Sequence, residues 1–188
     1  MQSSLFVQFL KNPTKVGAVC SSSQYLAKAM VRYANIKEAR YIAEIGAGLG
    51  AFTKEILIQK PEASDFFAVE ISSDLTHKLK KKFPNLAIYN QNASDLKHIM
   101  HSRDVEMLDV VVSGLPWSVF PKKLQNDLLD VIEGSLRNGG KFVTFAYVLP
   151  TPQALKFRKL LFAKFPKTKV SKIIWANFPP AVVYCCQK

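Results

Sequence analysis

The residues best suited to chemistry are Glu44-Ile45-Gly46-Ala47-Gly48-Leu49-Gly50 and the acid Glu70 that follows about twenty positions later. Glycines at alternate positions let a turn take positive φ and let a ligand lie directly against backbone, where any Cβ would collide. The spacing Glu-x-Gly-x-Gly-x-Gly differs from G-x-G-x-x-G, whose glycines fit a pyrophosphate at a helix N-terminus. Glu44 closes an apolar run and is placed to receive a positively charged or hydrogen-bond-donating group. Glu70 closes a second run, Phe66-Phe67-Ala68-Val69, the position at which a carboxylate accepts both hydroxyls of a ribose. Loop and acid together predict an adenosyl ligand without phosphates; the alternative is a glycine-rich turn that binds nothing. A third stretch, Ser113-Gly114-Leu115-Pro116-Trp117, follows the apolar run Leu108–Val112. No Ser/His/Asp set and no zinc spacing accompanies these residues, and His77, His98 and His101 read as surface positions rather than metal ligands.

The elements that must carry these residues alternate. Tyr41–Ile45 reads as a strand and the segment with Phe52, Ile56 and Leu57 as a helix. Strands follow at 66–70, 86–89 and 108–113, the last almost wholly apolar, as a strand buried on both faces should be. Between them, Ser73-Asp74 caps a predicted helix with Leu75, Leu79 and Phe83, and Phe120-Pro121 leads into another with Leu124, Leu128, Leu129 and Ile132. Asn138-Gly139-Gly140 predicts a sharp turn into a strand over 141–147, and a helix starts at Pro152. Residues 170–175 and 181–184 read as a closing pair of strands around Asn177-Phe178-Pro179-Pro180. Upstream, the run Ser21-Ser22-Ser23 offers an N-cap to a helix with Leu26, Ala29, Met30 and Tyr33 on one stripe, either a lid over the crevice or a plain covering helix. This pattern predicts one α/β domain over 1–188, a mostly parallel doubly wound sheet, with N-terminal helices over 1–35 and the core over 36–188.

Lys and Arg number 26 against 14 Asp and Glu, a formal charge of +12, which concentrates anionic partners, whether nucleic acid or acidic phospholipid. The run Lys78, Lys80, Lys81, Lys82 reads as a solvated face or a phosphate contact. Three cysteines, Cys20, Cys185 and Cys186, form no disulfide framework. No apolar run approaches the ~20 residues that span a bilayer, and Leu5-Phe6-Val7 is too short for a signal-peptide core, so a cytosolic location is expected. Residues 2–11 put Leu5, Phe6, Phe9 and Leu10 on one side of a helix beside Lys11 and Lys15, either packed on the domain or lying in a lipid interface.

The glycine loop and the correctly spaced Glu70 resemble those of class I S-adenosylmethionine-dependent methyltransferases. Four segments narrow the resemblance to bacterial phospholipid N-methyltransferases that act on phosphatidylethanolamine: Lys15–Val19 through Ser22-Ser23, Glu44–Gly50, Ser113–Pro116 with Phe120-Pro121, and Asn177-Phe178-Pro179-Pro180-Ala181 to Tyr184. Ser21 stands where that family often has proline, and Asn92 where an aspartate is usual. The resemblance implies a seven-stranded sheet whose final strand inserts antiparallel, and S-adenosyl-L-methionine as cofactor. It implies cofactor contacts at Glu44, Gly46, Ala47, Gly48, Gly50, Glu70, Ile71, Asn92, Ala93 and Ser113. The acceptor would meet Ser113, Gly114, Leu115, Pro116 and Trp117, with Tyr25, Trp117 and Tyr147 as substrate-orienting aromatics. The basic amphipathic segment with Leu5, Phe6, Phe9, Leu10, Lys11 and Lys15 then becomes a reversible anchor on an anionic membrane, placing the protein peripherally on the inner face. A more distant resemblance is to ribosomal RNA adenine dimethylases, whose acceptor loop carries a polar first residue where Gly114 stands and which add a helical domain that this chain is expected to lack. A nucleic-acid acceptor is the less favoured alternative, and no metal is implied.

Overall fold

The structure is a computed structural model that describes residues 22–148 and 151–188. The expected amphipathic segment with Leu5, Phe6, Phe9, Leu10, Lys11 and Lys15 lies outside the described residues, as do Ser21 and Cys20.

Helix α1, Gln24–Ala34, begins where Ser23, in extended backbone, accepts the Leu26 N–H on its Oγ at 3.2 Å. It ends at Asn35, whose left-handed conformation (φ 56°) turns the chain toward β1. The elements then run β1 (Tyr41–Ile45), α2 (Ala51–Gln59), β2 (Asp65–Val69), α3 (Ser73–Lys82), β3 (Ala87–Tyr89), α4 (Leu96–His101), β4 (Leu108–Ser113), α5 (Lys122–Ser135), β5 (Leu136–Tyr147), α6 (Pro152–Lys164), β6 (Lys167–Val170) and β7 (Ala181–Gln187). The seven strands form one sheet in the order β3-β2-β1-β4-β5-β7-β6. β1 to β5 pair in parallel, while β7 inserts antiparallel between β5 and β6. The expected doubly wound sheet with an inverted last strand is therefore what forms.

Both faces are covered, which is why the central strands lack polar alternation. Ile42, Val110, Val112, Val143 and Val183 face α1 and α2, where Leu26, Met30, Phe52 and Ile56 close over them. Ala43, Ile45, Phe67, Val111 and Phe142 face α4, α5 and α6 through Ile99, Leu128, Leu129, Ile132, Phe157 and Leu161. The sheet winds from β1 outward in both directions, so a crevice opens at the carboxyl ends of β1 and β4, where the strand order reverses.

Three local expectations change. The cap of α3 is Ser72, not Ser73-Asp74: Ser72 is extended and its Oγ accepts the Leu75 N–H at 3.4 Å. Residues 137–140 are an excursion inside β5 rather than a turn before it, since Leu136 already pairs with Leu108 and pairing resumes at Lys141 with Val110. The penultimate strand is 167–170, not 170–175. Its partners in β7 run from Gln187 to Tyr184; beyond Val170 the ladder gives way to single contacts, the Ser171 N–H donating to Val183 O at 2.9 Å and Ile174 bridging to Ala181. The apolar run Ile173–Trp175 therefore signals something other than a buried strand.

Candidate active site

The loop 46–50 leaves the central strand under tight control. Gly46 N–H donates to Val69 O at 2.8 Å and Gly50 N–H to Ala47 O at 2.9 Å, and α2 starts at once. Gly46, Gly48 and Gly50 all have positive φ, 71°, 57° and 79°. At Gly48 an added Cβ would meet nothing within 4 Å, so this backbone is the part of the loop that faces open space.

Glu70 stands just past β2 and is 6% exposed. One carboxylate oxygen accepts the Gly48 N–H and the other the Ser72 N–H, each at 2.9 Å. The side chain thus ties the loop after β1 to the loop after β2, and each oxygen keeps a lone pair for a ligand hydroxyl. Asn90 adds a second tie that the sequence reading missed: its amide donates to Glu70 O at 2.9 Å and Ile71 O at 3.0 Å. Asn92 caps the turn at 93–95, its side-chain oxygen accepting the Ser94 N–H at 3.0 Å while Asp95 accepts from Asn92 N at 3.2 Å. The Asn92 oxygen is already engaged, so a ligand amine there must share it. Ala93 is the first residue of this turn, and Ile71, whose carbonyl accepts from Asn90, is exposed.

Glu44 is wholly buried at the end of β1. Its Oε2 accepts the Thr53 hydroxyl at 2.6 Å, while Oε1 is buried with no hydrogen-bond partner. Burial pushes the carboxyl up to about 8; the nearby Glu70 charge adds to this and the Thr53 hydrogen bond opposes it. An orphaned buried acceptor beside an open glycine loop is what an incoming ammonium or N–H completes. The donors and acceptors around 44–50, 70–71 and 92–93 therefore fit a nucleoside carrying an amino-acid tail. Ala47, 6% exposed, packs inward beneath the loop.

The loop after β4 touches this cradle. Gly114 N–H donates to Ile45 O at 2.9 Å. A Cβ at Gly114 would lie 2.3 Å from Gly46 O, so no side chain fits there without parting the two loops. Ser113, fully buried, accepts the Trp117 Nε1–H at 3.0 Å and the Leu115 N–H at 3.3 Å on its Oγ. Leu115 packs on Gly46, and Pro116 leads into the 3₁₀ turn Trp117–Val119.

Trp117 does not take the role expected of it. It is 2% exposed, stacked on Phe157 at 5.2 Å and 13°, with Phe120 and Phe142 set edgewise at 6.0 Å and 5.8 Å. Its ring sits in the core beneath the loop, and its contribution is to hold Ser113. Gln125 of α5, also missed in the sequence, donates to Trp117 O at 2.7 Å and Phe120 O at 3.2 Å. The available signal was a glutamine one helical turn before Leu128 and Leu129, on a face otherwise apolar. Tyr25, 66% exposed, opens α1, and the half-buried Tyr147 ends β5 edgewise on Phe145 at 5.5 Å. A separate groove of about 560 Å³, lined by Arg32, Lys141, Lys167 and Lys169 among others, lies across β5, β7 and β6 away from the glycine loop. Among the described residues no group of three His, Cys, Asp or Glu could hold a metal.

Residues 9–127 match the family profile described as ribosomal RNA adenine dimethylase. An ornithine lipid N-methyltransferase from Singulisphaera acidiphila is 31% identical over 189 aligned positions, covering 96% of this chain and 92% of that protein. A ribosomal RNA small subunit methyltransferase A from Hydrogenobaculum is 31% identical over 117 positions, 62% of this chain, and the match spans only 44% of that relative. Among solved structures, an O-methyltransferase from Bacillus cereus, in complex with S-adenosylhomocysteine (SAH), superposes with TM-score 0.68 at 13% identity, covering 98% of this chain and 90% of the other.

Proposed function

The chain belongs to the ribosomal RNA adenine dimethylase family of S-adenosylmethionine-dependent methyltransferases, and within it we propose that the acceptor is the amine of a phospholipid headgroup, phosphatidylethanolamine, at a membrane surface. The observation that carries this reading is Gly114, whose position against Gly46 O leaves no room for an amide side chain that would orient a planar base. The near full-length likeness to a protein named for methylating a lipid amine supports it, as does the net charge of +12.

Bound S-adenosylmethionine supplies an electrophilic sulfonium methyl. The chain supplies alignment and exclusion of water. Glu70 would hold the ribose hydroxyls while it accepts the Gly48 N–H, and Glu44 would receive the tail's amino group at its unpartnered Oε1. Ser113, fixed by Trp117, sets the loop whose backbone carbonyls orient the acceptor amine. No Asp, Glu or His occurs between residues 110 and 126, so this loop offers the acceptor ammonium no carboxylate or imidazole base. In this reading the amphipathic segment with Leu5, Phe6, Phe9 and Leu10, beside Lys11 and Lys15, would serve as a reversible anchor on the anionic inner face of the membrane.

Incubation with labelled cofactor and vesicles of phosphatidylethanolamine and phosphatidylglycerol is expected to label the ethanolamine lipid. Label appearing in ribosomal RNA, with the lipid unlabelled, would replace this reading with the nucleic-acid one, for which the 31% identity to the ribosomal RNA methyltransferase over 62% of this chain speaks.

A further inference from the structure

The three most exposed large apolar side chains among the described residues lie together, whereas Ile58, 64% exposed, stands apart on α2. Trp175 is 74% exposed, Phe178 79% and Tyr25 66%, and the three belong to one edge of the molecule. Tyr25 opens α1, and the N–H of the preceding cap Ser23 donates to Asn177 Oδ1 at 2.9 Å. Asn177, 2% exposed, donates in turn to Pro179 O at 2.7 Å. The segment 171–180 is thereby held against α1 while its two largest rings remain in solvent. It leads into β7 at Ala181, which pairs with Tyr147 at the carboxyl end of β5. The segment thus lies at the edge of the sheet that also carries the loops 46–50 and 113–117. Val148, 41% exposed, continues the patch, its N–H donating to Pro180 O at 2.7 Å.

The charge is distributed unevenly. Residues 22–133 contain fourteen Lys and Arg and fourteen Asp and Glu, whereas residues 134–188 contain ten Lys and Arg and no Asp or Glu. That carboxylate-free stretch builds β5, α6, β6, β7 and the segment 171–180. It places the exposed Lys172 beside the rings, with Lys28 one helical turn from Tyr25 and Lys156 next to Leu155, itself 52% exposed, in the first turn of α6. Rings and aliphatic side chains on a stretch that carries lysines and no acid suit an anionic bilayer: the rings settle at headgroup depth and the ammonium groups meet phosphates. A single-stranded nucleic acid would be matched by aromatic platforms along a groove; here the exposed rings stand on a connecting segment beside the aliphatic Val148, tied to it through Pro180 O.

We propose that segment 171–180, with Trp175 and Phe178 at its surface and Tyr25 beside it, is a bilayer-inserting wedge that seats the catalytic edge on anionic phospholipid, separately from residues 2–15. The proposal rests on the lipid reading above. Its test uses the full chain, whose two tryptophans separate cleanly: Trp117 is 2% exposed and Trp175 74%. With vesicles of phosphatidylethanolamine and phosphatidylglycerol, Trp175 emission should shift to the blue and be quenched by brominated acyl chains, and pure phosphatidylcholine should leave it unchanged. The double variant Trp175→Ala/Phe178→Ala should raise the vesicle dissociation constant about a hundredfold by sedimentation, the loss expected for two rings withdrawn from the interface. Its thermal midpoint and its methylation of a short-chain, monomeric phosphatidylethanolamine should stay at wild-type values. Unquenched Trp175 with vesicle lipid still methylated overturns the wedge and leaves the acceptor assignment standing. Quenched Trp175 with no lipid methylated upholds the wedge and ends the acceptor assignment. Quenching by RNA but not by vesicles overturns the wedge.

Discussion

Replacing Gly114 by alanine puts a Cβ 2.3 Å from Gly46 O and 3.6 Å from Phe52 Cε2. An ordinary carbon–oxygen contact is about 3.3 Å, so the loops after β1 and β4 must part by about 1 Å. The obstacle is a backbone carbonyl, which no change of rotamer can relieve. Both loops are also pinned, Gly114 N–H to Ile45 O at 2.9 Å and Gly46 N–H to Val69 O at 2.8 Å. Overpacking of this kind costs about 1–3 kcal/mol, which lowers Tm by roughly 2–12 °C in a protein of this length. The effect on rate should be larger in proportion, because a displacement of about 1 Å between cofactor and acceptor is enough for roughly a hundredfold loss. Calorimetric melting and initial rates of methyl transfer at saturating cofactor measure the two effects separately. An alanine variant with wild-type Tm and turnover would refute the claim that this contact sets the spacing of the two loops. Gly114→Asn meets the same carbonyl and should lose lipid methylation without gaining activity on RNA.

Glu70→Ala removes the acceptor of both Gly48 N–H and Ser72 N–H; cofactor Kd by titration calorimetry should rise at least about tenfold, and an unchanged Kd would mean that the ribose acceptor lies elsewhere. Glu44, raised from 4.5 to about 8 in the fold by burial, contributes stability fully present below about pH 4.5 and lost as pH rises through 8. Tm should therefore fall more between pH 6 and pH 9 in the wild type than in Glu44→Gln, whose slope is expected to be flatter. The same carboxyl should release a proton when S-adenosylhomocysteine binds, seen as a binding heat that changes with the ionisation enthalpy of the buffer; a buffer-independent heat would separate Glu44 from the ligand. Trp117→Phe keeps an aromatic ring beside Phe157 but deletes the donor to Ser113 Oγ. It should cost about 1–3 kcal/mol of stability and lower kcat more than it weakens cofactor binding, whereas a substrate-stacking role for Trp117 would instead raise the acceptor KM.

Much of the framework lies in short-range patterns. The apolar runs at 41–45, 65–69 and 108–113 are strands buried on both faces, and an unbroken apolar run is written in consecutive positions. The glycine spacing at 46–50 and the acid at position 70 are equally local, since a tight turn and a strand end need only their own neighbours. The sequence alone therefore determined the parallel strands of the sheet and the glycine loop, and through family resemblance the inverted last strand. Long-range packing decided the rest. Periodicity tells which side of an element is apolar, not what stands opposite it. Trp117 reads equally well as a ring offered to a substrate or a ring in the core, until Phe157, forty residues later, is seen stacked on it. The demand for glycine at 114 comes from a carbonyl at 46, and the quiet ties made by Asn90 and Gln125 come from loops brought together only by the winding of the sheet. Trp175 shows the reverse case: an apolar stretch that resembles a buried strand ends in solvent, because the ladder between β6 and β7 stops at Val170 and beyond it only Ser171 and Ile174 still bond to β7, leaving the Trp175 ring exposed.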